Sequence, residues 1–244
     1  MRYGVISDIH SNLVAFERAL DVLAECAIDR YVCLGDVVGY GARPNECCEL
    51  LRSLDVVSVV GNHDVAACVP GGERWFTPAA RSCILWTRDV LTPANREYLE
   101  SLPVTTEIDG AHLCHASLAD PDAYISSPLE TLPSFAMMKQ PMCLFGHTHY
   151  AEWFHRVADA GMPHQHTVPG GGTVVLERGH TYMINPGSVG QPRDGNSQAS
   201  FAVIDTDEGI VAIERVSYDI QTTQQQIIEA GLPKAMAQRL LSGM

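Results

Sequence analysis

The sequence predicts an α/β protein with two packed, mixed sheets flanked by helices. Three observations carry this. Apolar runs alternate with helix-like segments as far as Val60, a hairpin texture begins at Pro103, and 244 residues at 46% hydrophobic content suffice to bury a sizeable core in one domain spanning 1–244.

Residues 2–7 read as a strand, and Asn12 opens a helix in which Leu13, Phe16, Leu20 and Leu23 recur at intervals of three and four. Residues 31–34 form the next buried strand, Pro44 suits a helix first turn, and 56–60 is a β-branched strand. This alternation implies parallel pairing with right-handed crossovers. Thr77-Pro78 and Thr92-Pro93 each place an N-cap residue before proline, so 79–90 and 94–102 should be helices covering one sheet face. Beyond Pro103, residues 104–108 and 111–114 flank an Asp109-Gly110 turn and begin a second sheet. Short strands follow at 142–145, 152–157 and 174–177, then 201–204 and 211–216 bracket a turn, and the tail is helical. The stretch 161–172, rich in Gly, Pro and His, reads as an exposed loop or hairpin tip.

Composition narrows the function. A net charge of −13, with no Lys/Arg-rich run, repels polyanions and disfavours extended nucleic acid. Two bound cations would still make a locally positive pocket for a small phosphorylated substrate. No apolar stretch approaches the roughly 20 residues of a membrane span, and the N-terminus enters a strand without a signal-like leader, so a soluble, cytoplasmic protein is expected. The eight cysteines show no C-x-x-C spacing and read as reduced, mostly buried thiols.

Four segments end apolar runs: Asp8-Ile9-His10, Gly35-Asp36, Gly61-Asn62-His63-Asp64 and Gly146-His147-Thr148-His149. Strand tips of open α/β sheets share one crevice, so these side chains should converge. Asp8, His10, Asp36, Asn62, His115, His147 and His149 are oxygen and imidazole donors suited to divalent ions, and seven exceed what one ion needs. A central Asp36 carboxylate can bridge two ions about 3.5–4 Å apart, the spacing of two-metal hydrolytic sites. One Asp at a strand end is an ordinary turn former; the joint arrangement is not.

These blocks resemble the calcineurin-like metallophosphoesterase superfamily, whose pattern is D-x-H, G-D-x-x, G-N-H-D/E, a lone His and G-H-x-H. All five are present between Asp8 and His149, and Asn185-Pro186-Gly187-Ser188-Val189-Gly190 with Arg193 resembles the small, single-domain bacterial branch. The resemblance implies a four-layer α/β/β/α sandwich. It implies that Asp8, His10 and His149 hold one metal and Asn62, His115 and His147 the second, with Asp36 bridging. It further implies in-line attack by a metal-bridging hydroxide on a phosphomonoester or phosphodiester. His63 would contact the phosphate and protonate the leaving oxygen, with Asp64 orienting its ring; Asn62 would also contact phosphate, and Arg193 would clamp it. One departure stands out: His115-Ala116-Ser117 replaces the usual His-Gly, which bears on loop shape, and His112 should point to the other face of its strand.

Mn, Fe, Zn, Ni and Co all suit the donor set, with Mn the expected activator. Two alternatives stand beside the hydrolase: a non-catalytic protein-binding scaffold on the same fold, as in the retromer small subunit, and a nuclease. His155, His164, His166 and His180 have no motif around them and read as surface residues. The tail's Ile227, Ile228, Leu232, Met236, Leu240 and Leu241 either pack internally or make a homodimer contact; monomer and homodimer both fit. Specificity should lie in the loops 40–43, 69–77, 118–127 and 191–196.

Overall fold

A computed structural model describes residues 1–157 and 161–244. As far as Ser58 the chain follows the expected alternation: β1 (Arg2–Ile6), α1 (Leu13–Ala24), β2 (Arg30–Cys33), α2 (Pro44–Arg52) and β3 (Val56–Ser58), with β1–β2 and β2–β3 parallel. Asn12 caps α1 by accepting the Ala15 N–H at 3.2 Å, and Pro44 occupies the first turn of α2. Next come α3 (Asn62–Cys68), α4 (Pro78–Val90) and α5 (Pro93–Ser101), the last two capped by Thr77 and Thr92. β4 (Thr105–Ile108) and β5 (Ala111–Cys114) form the antiparallel hairpin, turned at Gly110 with φ +79°. Then follow α6 (Pro128–Met137), β6 (Met142–Leu144), β7 (Ala151–Val157), β8 (His164–Thr167), β9 (Gly172–Val175), β10 (His180–Pro186), β11 (Ala199–Asp205) and β12 (Ile210–Val216). Helices α7 (Ile220–Glu229) and α8 (Lys234–Arg239) come last.

Two six-stranded mixed sheets result, ordered β3-β2-β1-β11-β12-β9 and β4-β5-β6-β10-β7-β8. Between them Val5, Val32 and Leu34 of the first sheet meet Leu113, Leu144 and Ile184 of the second in a buried core. On the first sheet's outer face Ile6, Cys33 and Phe201 lie under Phe16 and Leu23 of α1, Leu51 of α2 and Leu99 of α5. On the second sheet's outer face Cys143, Phe154 and Met183 lie under Phe135 of α6. The layers are therefore α/β/β/α, and each fully buried Phe or Leu adds roughly 1.5–3 kcal/mol of transfer free energy.

Two local expectations need correction, and two elements lie outside the expected set. α4 does not cover a sheet: its Ala80 and Cys83 pack on Ile227, Leu232, Met236 and Leu240 of the C-terminal helices, which places the tail's apolar stripe inside the molecule and leaves only Ile228 and Leu241 of that set exposed. The 161–172 stretch contains edge strand β8, paired antiparallel with β7. Strand β10 lies outside the expected set, yet it sits between β6 and β7. Helix α6 also went unread, although Ser127-Pro128-Leu129-Glu130 is a capping signature: the Glu130 carboxylate accepts the Ser126 and Ser127 N–H groups at 2.6 and 2.9 Å.

Candidate metal centre

All seven expected donors stand on loops leaving the same end of the two sheets. Asp8 and His10 follow β1, Asp36 follows β2, Asn62 opens α3, His115 follows β5, and His147 and His149 follow β6. Their site-facing atoms crowd together. Asp8, His10 and His149 form one compact group and Asp36, His115 and His147 another. His10 Nε2 lies 3.0 Å from His149 Nε2, which is 3.2 Å from Asp8 Oδ1. Across the cleft, His147 Nδ1 lies 3.2 Å from His115 Nε2, and both nitrogens lie 3.1 Å from Asn62 Oδ1. Asp36 joins the groups: its Oδ2 is 3.6 Å from His10 Nε2 and 3.3 Å from His115 Nε2.

The rings are set by main-chain carbonyls from distant segments. The Nδ1 of His10, His115 and His149 lies 3.1, 2.7 and 2.5 Å from the carbonyl oxygens of Val38, Leu34 and Gln191. An Nδ1–H donating to a carbonyl fixes the tautomer and leaves the Nε2 lone pair for a cation. His63 lacks this device. Its Nδ1 is buried with no partner among the described residues, although His63, His10 and Asp36 form a third compact group.

Backbone strain concentrates at the same place. Eight described non-glycine residues have positive φ, and seven border the cleft: Asp8, His10, Ser11, Asp36, Tyr40, His147 and His149. The eighth, Ala27, follows α1. Such backbone persists only where the surroundings over-determine it, and it clusters at functional sites. Motif glycines permit the crowding: a Cβ on Gly61 would collide with Asp36, and one on Gly146 with Ser7 and Asp8.

Charge and burial act together on these groups. Burial pushes the Asp36 carboxyl up, but His115 and His63 outweigh it and hold the group well below the usual carboxylate range. Burial pushes His115 down, but Asp36 and Asp8 raise it to about 10. His63 and His147 are lowered to about 4, both chiefly by burial. Donors this crowded, with buried Asp8 Oδ1 lacking a hydrogen-bond partner among the described residues and imidazole nitrogens facing one another, fit a site for divalent cations.

Asp64 departs from expectation. Its carboxylate does not hold the His63 ring; it accepts the Val38 and Gly61 N–H groups, both at 3.0 Å, and so ties the Asp36 loop to the start of α3. Burial and then Asp36 raise it to about 7. Arg193 does reach the cleft. Its Nη2 donates to the Tyr40 hydroxyl at 3.2 Å and to Gln191 Oε1 at 3.3 Å, while its Nε has no partner among the described residues. His112 stays out of the site: its Nε2 accepts the Lys139 and Gln140 N–H groups.

The expected specificity loops do border the cleft, through Tyr40, Trp75, Phe76, Tyr124 and Arg193. Sequence reasoning missed what Tyr40 and Asn185 do. Tyr40 packs its ring 4.6 Å from His10 and 4.4 Å from His63, and Asn185 donates to the Gly146 carbonyl and Thr148 Oγ1, fixing the loop that carries His147 and His149. His155, His164, His166 and His180 stand apart, stacked along the β8–β7–β10 edge. All eight cysteines are free thiols, and burial pushes Cys68 up to about 11 and Cys83 to about 12, which disfavours a thiolate role.

A family model for the calcineurin-like phosphoesterase superfamily domain matches residues 1–209. An uncharacterized protein of Methanocaldococcus jannaschii is 35% identical over 252 aligned positions, covering 98% of this chain and 97% of that protein. Phosphodiesterase YfcE of Escherichia coli K12 is 27% identical over 217 positions, covering 85% and 89%. The crystal structure of a metallophosphoesterase from Sphaerobacter thermophilus matches with a TM-score of 0.86 and 39% identity over the full length of both chains. The chain belongs to the calcineurin-like phosphoesterase superfamily.

Proposed function

We propose that residues 1–244 act as one metallophosphoesterase domain, a hydrolase of small phosphorylated substrates. The observation that carries this is the ring setting: three imidazoles held through Nδ1 by main-chain carbonyls, with Nε2 turned toward two buried carboxylates. Asp8, His10 and His149 would hold one divalent cation, Asn62, His115 and His147 a second, and Asp36 would serve both. Bound cations supply Lewis-acid stabilisation of phosphoryl charge and acidify water.

The chain's own residues do the rest. Arg193, held by Tyr40 and Gln191, offers its unpartnered Nε to a phosphate oxygen, and the planar guanidinium suits that geometry. Asn62, which lines the same cleft, would also contact the phosphate. His63 lines the cleft and gives the leaving oxygen its proton, so that the departing group leaves neutral. Burial, with Arg193, His149 and His115 beside it, outweighs Asp36 and keeps this ring neutral, and the negative charge of a bound phosphate favours the proton it must donate. The net charge of −13 weighs against nucleic acid as substrate. The relative named a phosphodiesterase supports phosphoester chemistry.

The test is turnover of aryl phosphate mono- and diesters by protein reconstituted with Mn²⁺, beside His63→Ala. Turnover that falls in the variant while cation content holds is the expected result. Fully loaded protein that turns over neither ester class would leave the scaffold reading in place of the hydrolase.

A further inference from the structure

A second, larger cavity adjoins the cation cleft. It encloses about 640 Å³, against about 340 Å³ for the cleft itself, and Asn62, Trp75, Phe76 and His147 line both. From this shared wall the two spaces diverge. The cleft continues past His63, Tyr40, Tyr124 and Arg193. The cavity continues past Val60, Val65, Ala66, Val104 and Pro121, with Asp122 at its side, and neither His63 nor Arg193 reaches it.

Its apolar walls are left open to water. Val65 is 43% exposed, Val104 52% and Trp75 95%, and the Trp75 indole has no ring partner among the described residues. Exposed apolar side chains converging on a concave surface mark a binding site, and the volume falls within the range for small-molecule pockets. The contents must match the walls: Val60, Val65, Ala66 and Val104 offer no hydrogen-bonding side chain to the hydroxyls of a sugar or the amides of a peptide, whereas a flat ring stacks on indole and displaces water from valines.

The placement also selects the ester class. A leaving oxygen that takes its proton from His63 departs on the His63 side of the phosphate. A phosphomonoester has no further arm to place. A phosphodiester has one, and two of the proposed cation ligands, Asn62 and His147, also line the apolar cavity, which His63 does not.

Resting on the hydrolase reading above, we propose that this cavity holds the retained arm of a phosphodiester and that the arm is a planar aromatic group. In the reaction, water's oxygen forms the new P–O bond as the bond to the leaving arm breaks. The electron pair goes to the leaving oxygen, which takes the His63 proton, while the attacking water gives up a proton to solvent, from which His63 is reprotonated. The products are an alcohol and the monoester of the aromatic arm.

The test uses Mn²⁺-reconstituted protein and three substrates with one leaving group: bis(4-nitrophenyl) phosphate, methyl 4-nitrophenyl phosphate and 4-nitrophenyl phosphate. They differ only in the retained arm: aryl, methyl or none. Trp75→Ala and Val104→Glu, both at exposed positions outside the hydrophobic cores, should lower the aryl-to-methyl ratio of kcat/KM by about tenfold, mainly through KM. A ratio that stays within about twofold in both variants, with the methyl diester still hydrolysed, overturns this inference and leaves the hydrolase reading standing. Wild-type preference for the monoester over both diesters overturns it as well. Failure of the loaded wild-type protein to turn over any of the three overturns both readings together.

Discussion

The two ends of the sheets solve the same backbone problem in opposite ways. At the end away from the ligands the connections turn on Gly110, Gly179 and Gly209, all at positive φ, and added Cβ atoms there would meet little or nothing. At the cation end Gly35 and Gly39 also take positive φ, but there it falls as well on Asp8, His10, Ser11, Asp36, Tyr40, His147 and His149, where an L side chain costs about 1–2 kcal/mol each. Glycine would remove that cost and the donor with it. The strained backbone is thus what places a functional side chain at the tightest bend, and the buried sheets beneath supply the stability that tolerates it.

The sharpest way to break this contrast is Asp36→Asn. It removes charge from the carboxylate that approaches both donor groups, so cation content should fall at both positions and activity by more than about 10²-fold, beyond the usual loss for a residue that merely supports a ligand. Metal analysis beside turnover checks it. His63→Ala should come next: full cation content, with kcat down by about 10²–10⁴ and most for poor leaving groups. A variant that loses its cations would instead make the grouping of His10, Asp36 and His63 a ligand set.

A third outcome concerns pH. His115 is raised from 6.5 to about 10, so its protonated form adds stability that is complete below about 6.5 and is lost as pH climbs through 10. A cation needs the same lone pair, so binding at neutral pH should release a proton from His115, and affinity should rise with pH across that window. Titration calorimetry in buffers of different ionisation enthalpy reads the proton directly. Binding that proceeds with no proton exchange would contradict the assignment.

The smallest effects sharpen the comparison by their signs. Ser11→Gly relieves positive φ at the cation end without removing a donor and should stabilise the fold, while Gly110→Ala introduces it at the far end and should destabilise, each by about 1 kcal/mol. Denaturant midpoints measure both. Equal signs would mean that backbone strain is not what distinguishes the two ends.

Much of this was legible in the chain. The apolar runs and the caps Asn12, Thr77 and Thr92 announced β1, β2, α1, α4 and α5, because these signals act within a few residues. The capping signature at Ser127–Glu130 is equally local and announces α6. β10 hid because nothing in 180–186 shows that it is flanked on both sides by strands separated from it by tens of residues. The role of Asp64 went astray for a similar reason: its carboxylate bonds the Val38 N–H, 26 residues away, instead of the neighbouring ring.

The sequence by itself determined the donor chemistry and the loops that carry it, since residue type and position at a strand tip are local properties. Tertiary structure alone decided which nitrogen of His10, His115 and His149 faces the cleft, because the choice is made by carbonyls of Val38, Leu34 and Gln191 that only folding brings beside the rings. It also decided that Val65 and Val104, in separate segments, wall one apolar cavity beside the ligands. Convergence of side chains across two sheets is set by packing, and no short-range pattern encodes it.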